Sequence, residues 1–256
     1  MEADPGPQTT SVGITRLGRD AETSVADLGP LADLVGTWMG GRGWELIALP
    51  SGPPGGSETF RLLVRPYFEV LTFAPVGAPV PDRGGPNGDV FLTGLVYELR
   101  ITDADTNEPL HLENGMWLLL DDQGGIARQA SIPHGDVLLA LGKGTASSGS
   151  PQIPALSTIP DPGPTPPLGY TDPYLRPIGG FDPGDANKVL RAVLDGQDVV
   201  ATTTLTVSTQ GGGGIVNIPF VTANANATAF ACTYWIETVR DPATGTTFAQ
   251  LQYSQQ

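Results

Sequence analysis

The chain has 256 residues, enough for one large all-β domain or two small ones. Its 27 acidic residues outnumber 13 basic ones, giving a formal net charge of -14, which repels nucleic-acid phosphates and anionic lipid surfaces. Neither nucleic acid nor a membrane is therefore an expected partner. The single cysteine, Cys232, excludes an intrachain disulfide framework and a cysteine-rich zinc site. Among Phe230, Ala231 and Tyr234 it reads as a small core residue.

No basic leader opens the chain and no eighteen apolar residues run together, so a soluble, cytoplasmic protein is expected. Residues 1–27 are polar and aperiodic and read as a mobile arm, leaving one domain over 28–256. Leu28 to Gly36 has a proline where a helix can start and a glycine where it can stop, giving a single turn or short helix. Gly36 to Ile47 mixes glycines with Trp38 and Trp44, as in a strongly bent strand, and a Trp just inside it suits the closed end of a barrel. Tyr67 to Phe73 alternates imperfectly, which predicts a strand covered on both faces. Val90 to Ile101 sets Leu95, Tyr97, Leu99 and Ile101 on one face. Thr102 to Glu108 opens like a calcium loop, but Glu108 stands where a glycine is needed, so the segment reads as a hairpin turn.

Pro109 to Leu120 and Ile126 to Ile132 are strand-length runs joined by an Asp/Gly turn, with a bend at Pro133 to Gly135 before Val137 to Leu141. The composition then turns to Gly, Ser, Pro and Thr over 142–185, which excludes sheet interior and predicts a long insertion covering an opening of the barrel. Asp185 to Gly196 reads as a helix capped by Asp185. Four strands follow, Asp198 to Ser208, Gly214 to Val221, Thr228 to Arg240 and Thr246 to Gln256, with Gly211 to Gly214 as a hairpin connection and a solvated threonine face at Thr202, Thr204 and Thr206. Nine or ten strands without regular strand-helix alternation predict an all-β fold, a mainly antiparallel closed or nearly closed barrel with one or two short helices.

Both histidines, His111 and His134, fall on the central hairpin. Neutral imidazole is a good iron ligand, and one axial histidine holds haem in a dry pocket. Each also reads as an ordinary residue, His111 as a strand position bonded to Glu113 and His134 as part of a turn. Glu113 and Glu237 lie in apolar segments and are the candidate general acids or bases if the barrel interior holds them. Ser131 near His134 lacks a nucleophile elbow, so a serine hydrolase is not expected. Trp38, Trp44, Trp117 and Trp235 read first as core.

Val35-Gly36-Thr37-Trp38 before a glycine-rich first strand, the central Leu110-His111-Leu112-Glu113-Asn114-Gly115 and a closing hairpin from Tyr234 to Tyr253 together resemble the nitrobindin-like haem-binding β-barrels. These are similar in shape to lipocalins and fatty-acid-binding proteins, and the resemblance spans 28–256 around the insertion. It implies a barrel that takes a flat or apolar small molecule, with haem the leading cofactor. In that family the iron is held by a histidine near the carboxyl terminus, and here no histidine follows His134. The expected metal ligands are therefore His134 first, aimed by the bend between Pro133 and Gly135, and His111 second. Trp117, Glu113 and Met116 complete the expected cofactor site, and Met116, Tyr234 and Tyr253 are the non-histidine alternatives for the iron. Two further functions stay open: an enzyme in the same cavity, peroxidase-like with haem or a cofactor-free cyclase or isomerase, and a structural barrel filled by its own side chains. A homodimer is also left open.

Overall fold

The computed structural model describes residue 25 and residues 27–50, 60–120, 123–159 and 176–256. Nearly all of the expected arm, Asp121, Asp122 and the proline-rich middle of the insertion with Tyr170, Tyr174 and Leu175 lie outside the described residues.

Among the described residues ten strands form one antiparallel sheet: β1 (Gly36–Pro50), β2 (Phe60–Pro75), β3 (Val80–Asp82), β4 (Val90–Asp103), β5 (Pro109–Leu119), β6 (Gly125–Ile132), β7 (Asp136–Ser148), β8 (Asp198–Asn217), β9 (Ala231–Arg240) and β10 (Thr247–Gln255). Each pairs with its neighbour in sequence, except that β2 pairs with β4 and β3 hangs off β4. The sheet curls into a nearly closed barrel. Its end strands, β1 and β10, share no hydrogen-bonded ladder, so a seam runs between them. Period-two alternation fills the interior: Leu95, Tyr97, Leu99 and Ile101 are buried while Val96, Glu98 and Arg100 face outward. Cys232 is a free, buried core thiol.

One end is plugged. Pro30 starts a 3₁₀ turn over Gly29–Leu34 that buries Leu31 and Leu34, and Trp38 donates its indole N–H to the Leu34 carbonyl at 2.8 Å. The hairpin bend at His134 and the start of β5 lie at the other end, which is the mouth.

Four local expectations are corrected. β7 runs on to Ser148, so the insertion starts about seven residues later than its composition suggests. Gly142 belongs in the strand because a side chain there would collide with the Thr206 carbonyl, 1.8 Å from its Cβ position. Gly211 to Gly214 is no hairpin: β8 continues through it, bulging away from β7 between Ser208 and Gly213 and pairing again at Gly213 and Gly214, as Gly212, Gly213 and Gly214 take positive φ and bend the strand. Pro219 to Val221, expected as the end of a strand, instead start a short helix, Pro219–Asn224, with proline in its first turn. The insertion helix covers only Lys188–Leu194, because Asp185 bonds to Arg191 and the Leu156 amide instead of capping it.

Coverage of the sheet also differs. The outer face of β2 is not covered, since Phe68 is 41% exposed. Thr202 is buried, bonding the Gly149 carbonyl at 2.8 Å where the insertion leaves β7. Among the described residues no helix is long and apolar enough to cross a membrane.

Candidate ligand-binding site

A cavity of about 650 Å³ opens along the seam. Leu99, Ile101, His111, Leu251 and Tyr253 line it from the barrel, Leu156 and Phe181 from the insertion, and Val189, Leu190 and Val193 from the helix that follows it. The insertion reaches across to β1, where the Phe181 ring packs on Trp44 with centroids 5.9 Å apart. Residues on both sides of the undescribed middle of the insertion therefore roof the seam.

The glycines of β1 make the room. A β-bulge between Gly40 and Gly43 bends the strand over Tyr67 and Glu69 of β2. A Cβ at position 43 would lie 2.3 Å from the Tyr67 hydroxyl, and one at position 40 would lie 3.3 Å from Glu69 Oε1. Across the seam the Tyr253 hydroxyl donates to Glu69 Oε2 at 2.6 Å. Burial pushes the Glu69 carboxyl up to about 7, opposed by the Tyr253 bond and assisted by Glu45. Burial likewise raises Glu45.

Below His111 lies a charged network inside the barrel. Arg128 and Glu113 are fully buried, with Arg128 Nη2 donating to Glu113 Oε1 at 2.6 Å. Tyr97 donates to the same oxygen and accepts from Arg128 Nε at 3.1 Å. Burial alone would raise Glu113, but the Arg128 guanidinium and bonds from His111, Tyr97 and Arg128 hold it down at about 2. The carboxylate is thus acceptor-only, and His111 Nε2, 3.2 Å from Glu113 Oε2, must carry the proton of that bond. This fixes the ring and leaves Nδ1 as its lone-pair atom when the imidazole is neutral. Among the described residues Arg128 Nη1 has no hydrogen-bond acceptor. Aromatic faces surround it instead, from Phe230 at 5.1 Å to Tyr234 at 5.7 Å from the guanidinium carbon.

The expected site residues separate accordingly. His111 lines the cavity and Glu113 orients it from below. His134 is exposed and not among the lining residues; it stacks on His111 with ring centroids 5.4 Å apart. Its bend is held by packing elsewhere, because the Ile218 amide bonds the Gly135 carbonyl and a side chain at 135 would strike Ile218 and Val221. Trp117 is wholly buried in the core beside Arg128 and Tyr234. Met116 pairs with outward-facing Val96 and so points away from the interior. Tyr234 is sealed in the core, and the Tyr253 hydroxyl is committed to Glu69. Glu69, Tyr67, Glu45 and Arg128 were not foreseen. The legible signal for Glu69 was its phase, since it shares the inward face with Leu71 and Phe73.

Glu237 lies on the outer face of β9, yet it is completely buried, and burial pushes its carboxyl up to about 8. A carboxyl raised on folding makes the folded chain bind its proton more tightly. Its stabilising contribution is full below the ordinary value near 4.5 and lost as pH rises through about 8 for Glu237 and about 7 for Glu69. Glu113 works oppositely: its contribution is present above 4.5 and lost as pH falls through about 2. Glu237→Gln should leave the urea midpoint unchanged near pH 5 and stabilise the protein near pH 9 by more than about 1.4 kcal/mol, one pKa unit. Parallel midpoint-against-pH curves for the two proteins would contradict this.

Residues 27–154, half of the chain, match the family model described as "THAP4-like, heme-binding beta-barrel domain". The chain belongs to this family. Membership in the THAP4-like family makes the protein a small-molecule-binding barrel, in keeping with the nitrobindin-like resemblance of its motifs. Among solved structures it is similar to that titled "Crystal Structure of Rv2717c from M. tuberculosis", at 16% identity and a TM-score of 0.41, covering 91% of this chain and 95% of that one. No curated protein matches.

Proposed function

We propose that this THAP4-like barrel binds a flat, largely apolar small molecule in the seam cavity, with haem the leading candidate and His111 as its axial imidazole. The observation that carries this reading is a cavity of about 650 Å³, within the usual range for small-molecule sites, with an oriented imidazole in a wall that joins an apolar stretch at Leu99, Ile101 and Leu251 to polar side chains. The donor set fits haem. A metal-binding histidine commonly gives its other ring N–H to a carboxylate, as His111 does to Glu113. Arg42 at the lining offers a cation for a ligand carboxylate.

Haem, when bound, supplies an iron centre for binding or activating small oxygen- and nitrogen-containing ligands. The chain's own part is mechanical and electrostatic. Glu113 and Arg128 hold His111 in one orientation, Leu99, Ile101 and Leu251 exclude water, and Phe181 with Val189 and Leu190 close the roof.

Titration of the purified protein with hemin, followed by absorbance, tests the reading. The parent should give a shifted Soret band, His111→Ala should lose it, and His134→Ala should keep it. Binding by both variants at parental strength would rule out histidine ligation, and no shift in the parent would rule out haem.

A further inference from the structure

Glu69 is the one ionisable side chain of the cavity that is held at one oxygen and left open at the other. Tyr253 fixes Oε2 at 2.6 Å, while among the described residues Oε1 has no hydrogen-bond partner and faces the bare backbone of Gly40. Apolar Leu99, Ile101 and Leu251 share the same wall. A carboxylate in such a setting is a strong base toward any ligand that displaces its water, because the incoming apolar surface removes the solvation of the charged form. The groups around it are Tyr67 on its own strand, Tyr253 on β10, Glu45 and Arg42 on β1, and His111 on β5. Burial and Glu45 bring the carboxyl to about 7, where it is both substantially ionised and appreciably basic at neutral pH.

We propose that the seam cavity is also a proton-transfer site, in which Glu69, aligned by Tyr253, is the general base for a neutral, flat substrate bearing an acidified C–H, such as a carbon beside a carbonyl. The site rests on the cavity reading above but not on haem. In the step, Glu69 Oε1 takes the proton and the C–H electron pair moves into the substrate's π system. Tyr67 lines the same space and would turn its hydroxyl to the developing negative charge. Return of the proton from Glu69 to another atom of the same molecule completes an isomerisation, with no oxidant or co-reactant.

The probe is 5-nitrobenzisoxazole, whose C–H deprotonation breaks its N–O bond and releases a coloured cyanophenolate, the proton passing to Glu69 and then to water. The full chain should turn it over about 100-fold faster than Glu69→Gln, with a rate that rises with pH and is half-maximal near 7. Tyr253→Phe should move that midpoint upward and Glu45→Gln should move it downward, since the first removes a bond that favours the carboxylate and the second removes a neighbouring negative charge. Neither shift is expected of a residue that only supports the fold. Binding of the neutral dye N-phenyl-1-naphthylamine reports the cavity separately. Dye binding without turnover, turnover by Glu69→Gln at the parental rate, or midpoints unmoved in both other variants would each overturn the proposal. Failure to bind either dye or probe would overturn the cavity reading with it.

Discussion

Arg128→Met should lower the unfolding free energy by about 3–5 kcal/mol, a large part of what holds a domain folded. The cost is not the loss of one ion pair's attraction, since a buried pair nearly cancels against its own desolvation. It is the stranding of Glu113, which is wholly buried and would keep only Tyr97 and His111 as partners. The methionine fills most of the space among Tyr97, Trp117, Phe230 and Tyr234 but returns none of the charge. Arg128→Met with Glu113→Leu should therefore be more stable than Arg128→Met alone, because the second change removes the unpaired carboxylate. Urea unfolding of the two proteins near pH 7 decides it. If the double variant is the weaker, the network is held by packing and not by its charges.

Gly43→Ala should cost stability modestly, about 1–3 kcal/mol for a crowded position, yet reduce ligand affinity at least tenfold. The added methyl would stand 2.3 Å from the Tyr67 hydroxyl. The end of a tyrosine ring can move, and the open direction is the cavity, so the ring is driven into the ligand's place. Gly40→Ala, whose nearest atom is Glu69 Oε1 at 3.3 Å, should affect both quantities less. Dye or hemin titration alongside thermal unfolding separates the two effects. A Gly43→Ala protein that binds like the parent would mean that Tyr67 yields away from the cavity.

Strand-length apolar runs, turn residues and alternation within β4 follow from local chemistry, so the antiparallel barrel was legible in the sequence alone. The short turn before the first strand, the bend of that strand and the buried Cys232 were legible for the same reason. The short motifs around Trp38 and His111 also carried the family, which the match over 27–154 bears out. What misled was composition read without partners. Gly142 and Gly213 signalled loops, but each is a glycine because a neighbouring strand's carbonyl occupies the space of its side chain. That is a fact about β7 and β8 together, invisible in either one. The site was decided the same way. Glu113 and Glu237 stood equally as acids in apolar segments, and only the fold gave one an arginine that holds it ionised at about 2 and buried the other without a cation among the described residues, at about 8. The bend between Pro133 and Gly135 favoured His134 over His111, yet the barrel lines the cavity with His111 and leaves His134 exposed beside it. Alternation fixes which residues share a face. Which face meets the cavity, and what closes over it, depends on contacts between β1, β2, β10 and the insertion that lie far apart along the chain, as the Tyr253 bond to Glu69 does.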